Sequence, residues 1–418
     1  MKTAFISGLL ATWIAVVCPA GGANLAPANP WTLGLPIVTY WCGPALTDAA
    51  AAQMAEGGWN LVWCGEKELD VAQRHGLRAQ LTDGLLAPAA LDDAKQREQL
   101  EALITRLRSH PALYAYFIAD EPGAAQFPAL GRLVSFLRER DPAHLAYINL
   151  FPTYASNEQL GNKGDTVTAY RVHLRQFVEN VKPGLLSYDH YQFAVAGDNG
   201  QYFLNLSLIR RAALEAGLPF LNIVQAATWD PSMRVPTGDE LRYLLSTTLA
   251  YGGQGISYYI YSCAGHKGGI AAADGTPTPL YHALKTLNRE FVAVARELQP
   301  LRSLGVFHAG MRPPGAEPLP AEAGFAFDPA FPAVSYQAPA RVTGALLGCF
   351  GPASQTDASA SHAMVVNLDY KSELTLGLRG PGLLELFDAT TGQWVPGGTA
   401  RVSLRLPGGA GKLVRVKR

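Results

Sequence analysis

The sequence predicts a (β/α)8 TIM barrel followed by a small antiparallel β-sandwich. Two observations predict this fold. Between residues 34 and 262, eight short apolar runs alternate with segments of helical periodicity, which is the order expected of parallel strands joined by helices. After residue 300 the runs alternate with a period of two and turn residues separate them, as in antiparallel strands.

The eight predicted barrel strands begin with a run that ends in "TYWC" and include one that ends in "ADEP". A doubly wound open sheet is the alternative, but no glycine-rich phosphate loop follows any strand. Helix boundaries agree with the barrel: Pro142 and Pro183 stop two helices, and Thr237 with Glu240 forms a capping box. The predicted strands are 34–42, 60–65, 77–84, 113–122, 145–152, 185–193, 219–229 and 253–262.

Composition limits the function classes. Apolar residues make up 48% of the 418 residues and charged residues 16%, so the chain can bury a large core. Basic and acidic residues balance at 34 each, and this balance argues against a nucleic-acid partner.

The barrel is assigned to residues 30–300 and the β-sandwich to 301–418. Because the connecting segment is short and contains apolar residues, the two are expected to pack together.

The N-terminus has the pattern of an export signal. Lys2 precedes an apolar run over 4–17 that is too short to span a bilayer, and small residues follow. We therefore expect a signal peptide over 1–23 and a secreted or periplasmic protein. Anchoring as a lipoprotein through Cys18 is the alternative, disfavoured by Val17, where a lipobox has glycine or alanine. No other stretch is expected to cross a membrane.

Four cysteines remain after the signal peptide. They show no CxxC spacing and no histidine at metal-ligand spacing, so no metal site is expected. No glycine-rich loop follows a strand, so no cofactor is expected either. Cys42 and Cys64 end neighbouring strands and predict a disulfide in an exported protein, with Cys263 as the competing partner of Cys42.

Aromatic, amide and carboxyl side chains collect at the predicted strand ends. The C-terminal ends of barrel strands meet at one face, where active sites of this fold lie. Flat aromatic rings, amides and carboxylates are what a sugar-binding site needs. The expected substrate-binding residues are Tyr40, Trp41, Trp63, Glu66, Asn149, His190, Tyr191, Gln225, Trp229, Tyr258 and Tyr261.

Asp120 and Glu121 are two adjacent acids behind an apolar strand. Burial disfavours the charged form of a carboxyl group and raises its pKa. A carboxyl group that stays protonated near neutral pH can donate its proton to a glycosidic oxygen. Capping of the following helix is the structural alternative, but one acid would suffice for that.

The "ADEP" run resembles the "NEP" element of the retaining, clan A-like and β-galactosidase-like superfamily of TIM-barrel glycoside hydrolases. The resemblance implies that Glu121 is the acid/base, and a barrel with a C-terminal β-sandwich is common in that superfamily. Two positions depart from the pattern. Asp120 stands where asparagine is usual, and Gln225 stands at the end of strand seven, where the superfamily has its glutamate nucleophile.

An amide cannot replace that nucleophile, so a second carboxylate must come from elsewhere. Asp189, at the end of strand six, is one candidate. Asp120 is another, by resemblance to substrate-assisted hexosaminidases, in which an Asp–Glu pair uses the sugar's own N-acetyl group. Glu66 or Asp83 is a third. The sequence thus predicts an exported glycoside hydrolase acting on carbohydrate, and the alternative is a catalytically inactive barrel that binds glycans.

Overall fold

The computed structural model describes residues 34–353 and 359–417. The predicted signal peptide and the lipidation site at Cys18 lie outside the described residues. Within the described part of the chain, no helix is long and apolar enough to cross a membrane.

The first part of the chain, from Ile37 through the helix that ends at Leu298, forms a barrel of eight parallel strands, as predicted. The strands lie around the barrel in the order β1-β8-β7-β6-β5-β4-β3-β2. Between β1 and β2 the barrel is nearly closed, and the amide of Asn60 donates to the carbonyl of Val38 at 3.1 Å. The strands are β1 Ile37–Trp41, β2 Leu61–Cys64, β3 Arg78–Leu81, β4 Leu113–Asp120, β5 Leu145–Leu150, β6 Leu186–His190, β7 Phe220–Gln225 and β8 Gly255–Tyr259.

Helices connect the strands and cover the outside of the barrel. The capping box predicted at Thr237 is present, since its hydroxyl accepts from the amide of Glu240 and the Glu240 carboxylate accepts from the amide of Thr237. The helices are α1 Asp48–Glu56, α2 Leu69–Arg74, α3 Ala94–Leu107, α4 Phe127–Arg140, α5 Asn157–Leu160, α6 Thr166–Val181, α7 Tyr202–Ala216, α8 Gly238–Ala250 and α9 Pro279–Leu298, with short 3₁₀ turns at Glu66–Glu68, Pro88–Leu91 and Ala124–Gln126.

Along each barrel strand, successive residues face in turn the barrel interior and the surrounding helices. Ile37, Leu61 and Ile223 belong to a separate interior cluster. Val38 and Tyr40 join the larger cluster formed with the helices. This alternation decides which residue at a strand end reaches the barrel mouth, because the two faces differ by a single residue.

The rest of the chain forms one mostly antiparallel sheet, ordered β10-β9-β12-β13-β16-β14-β11, with β15 paired to β14. It curls over its own apolar core, which includes Phe325, Leu347 and Val365. The predicted fold class, a TIM barrel with a C-terminal β domain, is thus confirmed. The strands are β9 Leu301–Gly310, β10 Glu317–Pro318, β11 Ala326–Asp328, β12 Gly344–Pro352, β13 His362–Asn367, β14 Leu374–Asp388, β15 Gln393–Leu406 and β16 Gly411–Val416.

The C-terminal domain packs directly on the barrel, as predicted from the connecting segment. Leu346, Phe350 and Met364 join the same core cluster as the barrel helices. Gly348 of β12 lies so close to α8 that a Cβ atom there would be 2.2 Å from the carbonyl oxygen of Ala250. Such close contact makes the interface part of the folded core and not a loose tether.

The described cysteines are all free thiols in the structure. The predicted Cys42–Cys64 disulfide is therefore absent. Cys64 is buried, whereas the thiol of Cys42 interacts with the thiol of Cys263, across the junction of β1 and β8. The competing partner in the sequence prediction is thus the spatial neighbour of Cys42.

Candidate active site

A cavity of about 500 Å³ opens at the C-terminal ends of the barrel strands. Its lining combines three acids, amides and several aromatic rings, and no lysine, arginine or histidine is among the described residues that line it. The lining residues are Trp41, Asp120, Glu121, Asn149, Phe151, Pro152, Tyr154, Ala155, Gln159, Asp189, Tyr191, Ala194, Asn199, Ile223, Trp229, Met233 and Tyr259.

The end of β4 places Asp120 and Glu121 at the cavity. The register between β4 and β5 shifts after Phe117, so that one extra residue of β4 is accommodated and Asp120 pairs with Asn149. Glu121 then adopts a left-handed backbone with φ of 44°, and its amide donates to the carbonyl of Asn149 at 2.9 Å. A non-glycine residue held in this conformation costs roughly 1 kcal/mol or more, and such strain concentrates at functional sites.

Asn149 connects the acids of two strands. Its Nδ2 donates to Oδ1 of Asp120 at 3.1 Å and to Oδ1 of Asp189 at 3.0 Å. The hydroxyl of Ser187 donates to Oδ1 of Asn149 at 3.1 Å, which fixes the orientation of the amide. Asp189 is only 3% exposed and its carboxyl group is hydrogen-bonded to that of Glu121.

The three carboxyl groups differ in how readily they ionise. Burial, and secondarily the charge of Asp120, raises the pKa of Glu121 to about 7, although the hydrogen bond from Asp189 opposes the shift. Burial and the neighbouring Glu121 raise the pKa of Asp189 well above its ordinary value. Burial also raises the pKa of Asp120, but this side chain is the most exposed of the three. Burial therefore disfavours the ionised forms of Glu121 and Asp189 most strongly, and Asp120 is the acid that ionises most easily.

Aromatic rings form one side of the cavity. Tyr191, Trp229 and Tyr259 contact one another with ring centroids 4.8 to 5.1 Å apart. Trp229 leaves 47% of its surface exposed, so its ring is available to a ligand. A short ladder between Ala227–Thr228 and Lys267–Gly268 joins the segments that follow β7 and β8, next to Trp229 and Tyr259.

Seven of the residues proposed from the sequence line this cavity together: Asp120, Glu121, Asp189, Trp41, Asn149, Tyr191 and Trp229. Their roles in binding or catalysis remain predictions.

Several other proposed residues face away from the cavity. Tyr40 and Tyr258 lie on the outer faces of β1 and β8, and the hydroxyl of Tyr258 donates to Asn288 in α9 at 2.6 Å. The hydroxyl of Tyr261 donates to Gln53 in α1 at 2.7 Å. These three tyrosines do not line the cavity, because each is turned toward the helices by its position along the strand or just after it.

Three more residues proposed from the sequence, Trp63, Glu66 and His190, do not line the cavity. Trp63 packs its ring against Trp41, 4.8 Å away, and does not line the cavity. Glu66 forms a two-point ion pair with Arg106 at 2.5 and 2.8 Å. His190 is fully buried, with Nδ1 3.0 Å from Oδ1 of Asn205.

Gln225 is also fully buried, and its amide binds backbone groups of the barrel loops instead of facing the cavity. Asp83, the remaining candidate carboxylate, accepts from the amide of Leu85 at 2.8 Å and so stabilises a turn. Neither residue lines the cavity.

The cavity also contains residues that the sequence did not single out. Tyr259 lines the cavity because side chains alternate along β8 and Tyr259 shares the inward face with Ser257, whereas Tyr258 points outward. Tyr154 and Asn199 come from loops and Gln159 comes from helix α5, so no strand pattern indicates them. Among the described residues, no group of three or more histidine, cysteine, aspartate and glutamate side chains is arranged to hold a metal ion.

Solved structures of several glycoside hydrolases share this architecture. One described as a glycoside hydrolase has a TM-score of 0.53 and 13% identity over 92% of each chain. A glycoside hydrolase family 5 protein from Bacteroides vulgatus has a TM-score of 0.53 and 12% identity over 90% of this chain and 87% of that one. The fold resembles that of clan A-like glycoside hydrolases.

A β-galactosidase from Marinomonas ef1 is also similar, with a TM-score of 0.45 and 12% identity over 66% of this chain. This chain spans 62% of the length of that enzyme. No family model and no curated protein matches the sequence. At these identities the likeness establishes the fold.

Proposed function

We propose that the protein is an exported glycoside hydrolase with Glu121 as its general acid. The observation that supports this most is a carboxyl group with a pKa raised to about 7, in a strained backbone position, inside an aromatic cavity at the barrel mouth. An acid of this pKa keeps its proton at the pH where it must protonate a leaving oxygen. Export rests on the N-terminal sequence pattern alone.

The charges of the site favour an uncharged sugar. An anionic substrate such as a uronic acid would meet Asp120, Glu121 and Asp189 without a cation among the described lining residues. A cationic sugar would stabilise the ionised form of Glu121 and remove the proton that the reaction needs. A neutral sugar avoids both penalties, and its apolar face fits the ring of Trp229.

The second carboxylate is best assigned to Asp120. A carboxylate nucleophile lies about 5 Å from the acid, across the sugar ring, and an inverting base lies 6.5 Å or more away. Asp189 is hydrogen-bonded to Glu121, and burial raises its pKa well above the ordinary value, which disfavours the ionised form that a nucleophile needs. Asp120 is exposed, receives a hydrogen bond from Asn149 and ionises more easily. Because Asp120 adjoins Glu121 in the chain, it is suited to orienting a nucleophile and not to attacking from the opposite face.

A 2-acetamido sugar would supply that nucleophile. Glu121 donates its proton to the glycosidic oxygen as the bond from that oxygen to the anomeric carbon breaks. The acetamido oxygen attacks the anomeric carbon, while Asp120 accepts a hydrogen bond from the acetamido N–H. Water then opens the cyclic intermediate, giving its proton to ionised Glu121 and its hydroxyl to the anomeric carbon. The acid is thereby restored for the next turnover.

A catalytically inactive glycan-binding protein is the second candidate. The observation that favours it is Gln225, which binds backbone groups at the position where the related superfamily carries its nucleophile. The two candidates predict different results with the same protein, since only a hydrolase releases sugar.

The test is a screen of the purified protein against nitrophenyl glycosides, including 2-acetamido sugars, neutral hexoses and a glucuronide. Glu121→Gln is the test variant, and Glu66→Gln is the matched control, because Glu66 pairs with Arg106 outside the cavity. Hydrolysis by the wild type and by Glu66→Gln, but not by Glu121→Gln, supports the proposal. Glycan binding without hydrolysis of any substrate would support the binding protein instead.

A further inference from the structure

We propose that the C-terminal domain positions one wall of the active site, through a hydrogen bond between Tyr370 and Asp198. The wall is the segment 191–201, which follows β6 and is called the β6 loop below. Tyr191, Ala194 and Asn199 of this loop line the cavity. The inference rests on the proposed function, because it assigns a positioning role within that same site.

Asp198 is a buried acid whose side-chain partner belongs to the other domain. It is 4% exposed, and the hydroxyl of Tyr370 lies 2.9 Å from its Oδ1 and 3.0 Å from its Oδ2. Tyr370 follows strand β13 of the C-terminal domain. A buried carboxyl group without a hydrogen-bond donor is costly, so this contact fixes where the β6 loop can lie.

The backbone of the loop is held by the same domain. The amide of Asp198 donates to the carbonyl of Pro339 at 3.1 Å. Gly197 has φ of 136°, and a Cβ atom there would be 2.3 Å from that same carbonyl oxygen. The loop and the C-terminal domain therefore meet backbone to backbone, at a distance that only glycine permits.

The barrel holds the other end of the loop. Oε1 of Gln225 accepts from the amide of Phe193 at 2.8 Å, and its Nε2 donates to the carbonyls of Phe193 at 3.1 Å and Arg234 at 2.6 Å. The ring of Phe193 contacts the ring of Tyr370, with centroids 5.6 Å apart. Gln225, at the end of β7, is thus a structural anchor, and the loop is fixed between this anchor and Tyr370.

A fixed wall lowers the cost of binding, because a mobile loop must be ordered when substrate arrives. Tyr370→Phe keeps the ring against Phe193 but removes the hydroxyl from Asp198. We expect KM to rise about tenfold, as for the loss of one buried hydrogen bond to an acid. The value of kcat should change by less than about threefold, because Glu121 does not touch this contact.

The matched control is Trp394→Phe, which breaks a different interdomain hydrogen bond, from Nε1 of Trp394 to Glu297 at 3.0 Å. If Tyr370 only stabilised the domain interface, Tyr370→Phe and Trp394→Phe would have equal effects on KM and on hydrogen exchange of the β6 loop. Hydrogen exchange of the β6 loop is measured in both variants, together with KM and kcat on the nitrophenyl glycoside that the wild type cleaves fastest.

Faster exchange in 191–201 and a raised KM in Tyr370→Phe alone support the proposal. Equal exchange and equal KM in the two variants would overturn it. If Tyr370→Phe does not fold, Asp198→Ala removes the acceptor instead and should loosen the same loop. If the wild type cleaves no glycoside, the proposed hydrolase function fails, while the exchange data still decide whether Tyr370 holds the wall.

Discussion

Replacement of Asp189 by asparagine should leave the reaction largely intact. Asp189 is buried beside Glu121, and burial raises its pKa well above the ordinary value, so we expect it to act in its protonated form. An asparagine at this position is neutral like the protonated acid. Its Nδ2 can donate to Glu121, and its Oδ1 can accept from Asn149 as Asp189 now does at 3.0 Å.

The size of the expected effect on kcat/KM follows from the pKa of Glu121. With a pKa of about 7 instead of 4.5, roughly nine-tenths of Glu121 is protonated at pH 6, whereas an ordinary glutamate would be about 3% protonated. This difference is a gain of about thirtyfold in available acid. Because Asp189→Asn retains the hydrogen-bond donor, kcat/KM at pH 6 should stay within about threefold of wild type, and the alkaline limb should remain near pH 7.

Asp189→Ala is the contrasting variant. It removes the donor that stabilises ionised Glu121, so the pKa of Glu121 rises and the alkaline limb moves to higher pH. The assay is the pH dependence of kcat/KM for the three proteins, with circular dichroism to show that each is folded. A loss of 10²-fold or more in folded Asp189→Asn would refute the reasoning, because it would show that Asp189 must ionise, as a nucleophile or base does.

Four further results are expected. Asp120→Asn should lower kcat about 10²-fold. Because the substitution removes a negative charge beside Glu121, the pKa of Glu121 should fall and the alkaline limb of the residual activity should move to lower pH. An unchanged rate would exclude Asp120 from the mechanism. Trp229→Ala should raise KM about fivefold with little change in kcat, consistent with roughly 1 kcal/mol of aromatic contact; an unchanged KM would remove Trp229 from the binding site. Glu66→Gln should leave kcat/KM unchanged and alter the free energy of unfolding by about 1 kcal/mol at most, as thermal denaturation can check, because its ion pair with Arg106 is largely exposed. A chain ending at residue 300 should melt below the full-length protein, since Leu346 and Phe350 belong to the barrel's own core cluster, and an unchanged melting temperature would contradict this.

The sequence predicts the parts of the site that strand geometry controls. Asp120, Asn149 and Asp189 stand at the ends of strands whose apolar pattern is clear, and parallel strands bring those ends together. The proximity of these three side chains can therefore be predicted once the strands and their ends are identified in the sequence. The two-residue period also predicts that Asn149 and Asp189 face inward with Tyr147 and Ser187.

The remaining parts depend on single-residue boundaries and on loops. The last predicted strand runs to residue 262, whereas β8 ends at Tyr259, and the inward ring is Tyr259 and not Tyr258 or Tyr261. No local pattern indicates that Gln225 binds a loop backbone. The contact from Tyr370 to Asp198 joins positions 172 residues apart, and only the folded chain brings them together.

The central claim is that Glu121 donates the proton to the leaving group. Glu121→Gln keeps the size and a hydrogen-bond donor but removes the titratable proton. On an unactivated substrate, such as an oligosaccharide with a poor leaving group, the rate should fall by about 10²-fold or more, and the alkaline limb near pH 7 should disappear. A Glu121→Gln protein that retains more than half of the wild-type rate on that substrate would contradict the assignment.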